Sequence, residues 1–175
     1  MKPLPHQELL AVVDENDSVI GTSPRHLVHT SLMRHRAVHI LVFDDSGRLF
    51  LQKRSMLKDL NPGLWDTSAA GHVDAGEDYN SCAVRELREE LGVEHRGPLT
   101  PVFKMPPTAE NGMEFVQVYR VTHNGPFALA ADEIDEGGWF APDEVDARVK
   151  ADDQNLTPTF KMLWRQWLWD SFTVS

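Results

Sequence analysis

Apolar residues in this chain fall in short blocks divided by turn-forming residues, and most blocks are strand-sized. Leu9 to Asp14 and Val19 to Thr22 predict an N-terminal β-hairpin turning at Asn16-Asp17. His35 to Asp44 and Arg48 to Lys53 predict a second hairpin across Asp45-Ser46-Gly47. After a loop holding Pro62-Gly63, a strand is expected near 64–70, with others near 100–104, 114–122 and 138–140. Helical signals are fewer. Ser23-Pro24 predicts the N-cap and first position of a short helix reaching about His29. From Tyr79 to Leu91, Val84, Leu87 and Leu91, with Ala83, recur at helical spacing, and Gly92 closes the helix. Pro142 opens a third helix, and Thr157-Pro158 caps and opens a fourth ending near Trp169. Strands interleaved with a few helices predict an α/β (α+β) fold, a mixed β-sheet within an α/β/α sandwich. Phe160, Leu163, Trp164, Trp167 and Leu168 form a stripe on the last helix. Core packing is expected there, with a homodimer or substrate surface as the alternative.

Composition narrows this picture. The 175 residues suit one domain spanning 1–175, and 41% hydrophobic residues with five tryptophans suffice for a core. No apolar run is long enough to cross a membrane, and MKPLPHQELL has no secretory h-region. The lone cysteine, Cys82, excludes an intramolecular disulfide and fits a cytoplasmic location; it is expected to be a small packing residue. A formal charge of −10 argues against binding a nucleic acid polymer or an anionic membrane. It fits a protein that gathers divalent cations before meeting an anionic small molecule.

The chemistry concentrates in Gly71 to Val93, GHVDAGEDYNSCAVRELREELGV. Helical spacing puts Glu86, Glu89 and Glu90 on neighbouring positions, where like charges repel. A hard cation among the oxygens relieves that crowding, and Mg²⁺ is held by carboxylates together with substrate phosphates. Taken singly, such glutamates are usually a solvated face. Arg85 fits an i,i+4 partner of Glu89, and Gly71 and Gly76 fit plain turns.

Gly71, Glu77, Arg85-Glu86-Leu87, Glu89-Glu90 and Gly92-Val93 reproduce the Nudix box at every defined position, nine identities over 23 residues. The segment therefore resembles the Nudix hydrolases. The resemblance implies a pyrophosphohydrolase acting on acid anhydrides of phosphorus, with Mg²⁺ or Mn²⁺ promoting attack of water on a diphosphate. It implies that Glu86, Glu89, Glu90 and the Gly71 carbonyl hold metal, and that Arg85 pairs with Glu77 to orient the catalytic Glu86. It leaves open whether Glu86 or Glu89 is the base. A carboxylate outside the box often completes such sites; Glu114 is the first candidate, with Glu133 and Glu136 behind it.

Outside the box the chain is similar to the type I isopentenyl-diphosphate isomerases, from about Val12 to Trp164. The matching pieces are Arg25-x3-His29, His35-Arg36-Ala37, Arg54-x3-Lys58, Pro62-Gly63-x-Trp65, Gly71-His72, Glu114 and Thr157-Pro158. This resemblance implies that Arg25, Arg54 and Lys58 grip a diphosphate, as guanidinium forks and ammonium groups do. It also places His29, His35, His72 and Glu114 at a second metal site, a reasonable Zn²⁺ or Mn²⁺ ligand set. The alternatives are solvated cations and ordinary surface or core histidines; Trp65 fits either a stacking platform or the core wall. The chain departs from the isomerases in three places. The His29–His35 spacing is one residue short, a second glutamate is missing near Gly112, and Ala70 stands where the isomerases have their catalytic cysteine. An allylic proton transfer loses its acid–base group without that thiol.

The expected function is hydrolysis of a diphosphate linked to an organic group. The alternatives are an isomerase-like reaction and a noncatalytic diphosphate-binding module.

Overall fold

The computed structural model describes residues 8–173, so most of the N-terminal MKPLPHQELL lies outside the described residues. Nine strands and four helices follow in chain order: β1 (Leu9–Val13), β2 (Val19–Pro24), α1 (Arg25–Thr30), β3 (His35–Phe43), β4 (Leu49–Arg54), β5 (Trp65–Asp66), β6 (Ala69–His72), α2 (Tyr79–Leu91), β7 (Thr100–Met105), β8 (Glu114–Thr122), β9 (Ile134–Phe140), α3 (Pro142–Lys150) and α4 (Pro158–Thr173). All nine strands form one mixed sheet. β3 is its hub. Along one edge β3 pairs in parallel with β8, from His35↔Glu114 to Phe43↔Thr122. Its other edge is shared by β1, then β6, then β4, all antiparallel.

Alternation along β3 divides the core into two layers. Val38, Ile40 and Val42 face α2, where Leu87 and Leu91 close over them. Ala37, Leu41 and Phe43 face the opposite way, onto Val145 and Val149 of α3 and Leu163 and Trp164 of α4. The sheet therefore lies between helices, as expected. Phe160, Leu163 and Trp164 are buried, and Trp167 and Leu168 pack at the margin of the same cluster, so the α4 stripe is core.

The helix boundaries follow from capping. Asp78 accepts a hydrogen bond from Ser81 N at 2.7 Å, and Gly92 ends α2 in the left-handed conformation. Thr157 Oγ1 accepts from Phe160 N at 3.2 Å, the expected cap of α4. Three expectations need correction. Ser23 and Pro24 do not open α1: both are held extended against Leu10 and Leu9, and the helix starts at Arg25 without a side-chain cap. The single strand expected near 64–70 is two strands, because β5 pairs with β4 whereas β6 pairs with β3. At the switch, Ser68 Oγ takes Val42 N and donates to the Phe50 carbonyl, replacing ladder bonds. Finally, β9 begins at Ile134 rather than near 138. Its exposed Asp135 and Glu136 are poor strand formers whose backbone is held by β4 pairing.

A turn clamp links the sheet to the start of α2. Asp17, at the β1–β2 turn with φ of 62°, accepts from Arg36 Nε at 2.7 Å and Tyr79 Oη at 2.9 Å, and also pairs with Lys104.

Candidate functional site

Helix α2 carries its carboxylates inward. Cys82, Glu86 and Glu90 form one buried row, with Glu86 and Glu90 only 3% and 4% exposed. A solvated face is thereby ruled out for these two; Glu89 stays partly open to solvent. Burying a carboxylate is costly unless it is paired and hydrogen-bonded. Glu90 Oε2 accepts from Gln52 Nε2 at 2.8 Å and from the Ala70 amide at 3.2 Å. Glu86 lies against Gly71, where a Cβ would overlap its carboxylate. Glycine at 71 thus makes room for the Glu86 side chain.

Arg85 fulfils both pairings read from the sequence. Its Nε and Nη2 donate to the two oxygens of Glu77 at 2.9 and 2.8 Å, the bidentate geometry of strong pairs. Its Nη1 reaches Glu86 at 2.5 Å and Glu89 at 3.4 Å, and Nη2 also donates to the His72 carbonyl at 3.1 Å. Burial works against the charged guanidinium, but the Glu77 bonds and the Glu86 charge outweigh it and hold the proton more tightly. One guanidinium therefore faces four carboxylates, Glu77, Glu86, Glu89 and, at 3.8 Å, Asp74, with Glu90 beside them in the buried row. The surplus of hard oxygen donors suits a divalent cation.

A second constellation forms where α1, β3, β6 and β8 meet. His29, His35, His72 and Glu114 bring one ligand atom each within 4.8 Å of one another. The three imidazole centroids are 5.0–5.3 Å apart. Met33 O lies 2.9 Å from His35 Nδ1 and, as an acceptor only, requires the proton there, leaving the Nε2 lone pair facing inward. Glu114 Oε1 lies 3.4 Å from that nitrogen and 3.1 Å from His72 Nε2. The Nε2 atoms of His29 and His35 are buried without a hydrogen bond. Burial depresses the His72 pKa to about 4 and that of His29 as well, so these rings are neutral at pH 7, the form that binds metal. Burial alone would raise the Glu114 carboxyl; the adjoining His35 and His72 imidazoles hold it well below the usual range. Three imidazoles and an ionised carboxylate, two of the ring nitrogens buried and unpaired, fit a transition-metal ion. The fold thus brings together three histidines and a glutamate that are spread along the sequence from position 29 to position 114.

Glu114 therefore sits with the histidines. Of the carboxylates expected behind it, Glu133 pairs with Lys58, and Glu136 is exposed beside Lys53 at 3.7 Å. The three cations expected to grip phosphate each have an acidic partner. Arg25 reaches Glu8 at 3.2 Å and Asp59 at 3.1 Å, Arg54 reaches Asp66 at 3.5 Å, and Lys58 reaches Glu133. All three side chains are largely covered, so they are not freely solvated. Trp65 packs edge-on against Phe140 at 5.1 Å, in the core wall. Sequence reading missed Gln52, although a polar residue at an inward position of the apolar LFLQKR strand is a legible signal. It also missed Glu8, 4.0 Å from His72 Nδ1, which no pattern marks.

Residues 33–160 match the NUDIX domain. The chain belongs to the Nudix family. An uncharacterized Nudix hydrolase of Yersinia pestis is 36% identical over 150 residues, covering 81% of this chain and 77% of that protein. An isopentenyl-diphosphate Delta-isomerase of Agromyces mediolanus is 32% identical over 157 residues, covering 86% and 76%. Among solved structures, DR0079 from Deinococcus radiodurans superposes with a TM-score of 0.79 at 28% identity, covering 91% of this chain and 98% of that one. The protein is thus a Nudix hydrolase with an isomerase-like relative, and enzymes of this family work with divalent cations such as Mg²⁺ on small molecules. No helix among the described residues is long and apolar enough to cross a membrane.

Proposed function

We propose that this Nudix enzyme hydrolyses a diphosphate joined to an organic group, using Mg²⁺ or Mn²⁺ at the α2 carboxylates. The observation that carries this reading is the burial of Glu86 and Glu90 on the α2 face beside Arg85, whose guanidinium also reaches Glu77 and Glu89. Glu86, Glu89, Glu90 and the Gly71 carbonyl would hold the metal, which when bound neutralises phosphate oxygens and lowers the pKa of a water. Arg85 fixes the Glu86 carboxylate from one side while Gly71 leaves it space on the other. Gln52 and the Ala70 amide orient Glu90. Arg25, Arg54 and Lys58 would exchange their carboxylate partners for phosphate oxygens when substrate arrives. His29, His35, His72 and Glu114 would hold a second ion, Zn²⁺ or Mn²⁺.

An isomerase reaction is disfavoured by the thiol inventory. Ala70 carries none, and Cys82 is fully buried with its Sγ 3.2 Å from the His72 carbonyl, where burial pushes the thiol far above its ordinary range. The test is phosphate release with Mg²⁺ or Mn²⁺ across nucleoside diphosphates, nucleotide-sugars, dinucleotides and isopentenyl diphosphate. Turnover of one class that disappears in Glu90→Gln, with an unchanged circular dichroism spectrum, supports the proposal. Turnover retained in that variant, or conversion of isopentenyl to dimethylallyl diphosphate, overturns it. Elemental analysis before and after Glu114→Gln tests the second ion.

A further inference from the structure

The sheet face that ends in the histidine cluster carries one more imidazole that neither metal site uses. His39 lies on β3 on the side of Ala37 and Leu41, opposite Ala70 of β6, and is 6% exposed. Its Nδ1 is 2.8 Å from Thr67 Oγ1 and 3.9 Å from Asp66 Oδ1. The Thr67 hydroxyl donates to the Ala69 carbonyl at 3.3 Å, so its oxygen accepts from His39. Nδ1 is therefore the donor to Thr67, beside the Asp66 carboxylate, and in that tautomer Nε2 is the acceptor. Nε2 has no hydrogen bond to a described residue and is not among the buried unpartnered nitrogens, so it opens to solvent at this face.

Position gives the acceptor a use. Asp66 also holds Arg54, one of the cations proposed for phosphate, so His39 lies between that arginine and the His35–His72 end of the same face. The opposing residue is Ala70, whose small side chain remains partly exposed. We infer that His39 is a specificity-determining residue: its Nε2 accepts a hydrogen bond from an O–H or N–H on the organic group of the diphosphate. The substrate class is then a diphosphate with a hydroxylated or amide-bearing moiety, and a bare hydrocarbon chain would leave the acceptor unpaired. This inference rests on the hydrolase reading above.

Two near-isosteric variants separate substrate contact from packing. His39→Asn retains a donor toward Thr67 but lacks the outer acceptor, whereas His39→Gln can present its amide oxygen where Nε2 stood. The assay compares kcat/KM for nucleoside diphosphates with that for isopentenyl diphosphate in wild type and both variants, with melting temperatures as the folding control. The expected result is a preference for the hydroxylated substrates that falls about tenfold in His39→Asn, the worth of one hydrogen bond, and is largely restored in His39→Gln. Equal losses on both substrate kinds, or activity kept by His39→Asn and lost by His39→Gln, would assign His39 to the Thr67 contact alone and overturn the inference. A wild type that hydrolyses none of the compounds overturns the hydrolase reading, and the inference falls with it.

Discussion

Gly71→Ala is the sharpest test of how the α2 site is built. The added methyl group would occupy the space of the Glu86 carboxylate, overlapping its Oε1, Cδ and Cγ. The backbone at Gly71 has ordinary strand geometry, paired with Val38, so the change carries no conformational penalty of its own. All of the effect must come from the collision. Glu86 can relieve it only by rotating away, giving up the Arg85 bond at 2.5 Å. Overpacking of this kind costs about 1–3 kcal/mol, and for a chain of this size each kcal/mol lowers Tm by roughly 2–4 °C. Activity should suffer more, since a displacement of about 1 Å in a catalytic group costs on the order of 100-fold. Calorimetry would then show a modest drop in Tm while kcat collapses. Titration with Mn²⁺ should show weakened binding. A Gly71→Ala enzyme with undiminished kcat would refute the assignment of Glu86 to the site, whatever its Tm.

Arg85→Lys should lower kcat about 100-fold at near-constant Tm, because an ammonium cannot span Glu77 and Glu86 together as the fork does; steady-state kinetics with a melting control decides it. Leu87→Ala opens a hole beneath the sheet where the side chain is fully buried, and should cost about 2–5 kcal/mol in urea unfolding. Asp44, at the β3–β4 turn, has its pKa lowered to about 2: burial raises it, and the bonds from Ser46 and Arg48 prevail. Its folded-state pKa lies below the unfolded one, so its stabilisation is present at neutral pH and lost as pH falls toward 2. Asp44→Asn should therefore unfold at lower urea than wild type at pH 7, with the gap closing near pH 2.

Much of this was legible in the chain because the signals are local. The Asp78 cap, the apolar row ending at Leu91 and the glycine at 92 delimit α2 without any tertiary information. The same stretch carries its chemistry in fixed spacing, so the glutamates and Arg85 could be named from sequence. Solvation was not legible: whether Glu86 faces water depends on β6, which is placed by pairing with β3. Partners separated along the chain were equally hidden. Nothing near Glu90 in sequence announces Gln52, and nothing near Lys58 announces Glu133. The β5–β6 break escaped for a related reason, since the Thr67 hydroxyl is engaged by the His39 ring and that of Ser68 by the Val42 and Phe50 backbone, all distant in sequence.

The parallel pairing of β3 with β8 bears on how the protein acquires its site. Hairpins such as β3–β4 close short loops, whereas His35 meets Glu114 only after the whole intervening chain has been gathered in. Pairings of that range pay their loop-closure entropy late and form slowly. The α2 carboxylates and β6 are near neighbours in sequence, but the histidine cluster draws on α1, β3, β6 and β8 and cannot exist before the long-range ladder is made. In a refolding experiment, affinity for a transition metal should emerge with the slowest recovery of tryptophan fluorescence, after the helical signal is complete. Metal captured in the earliest phase would place the long-range ladder at the beginning of folding instead.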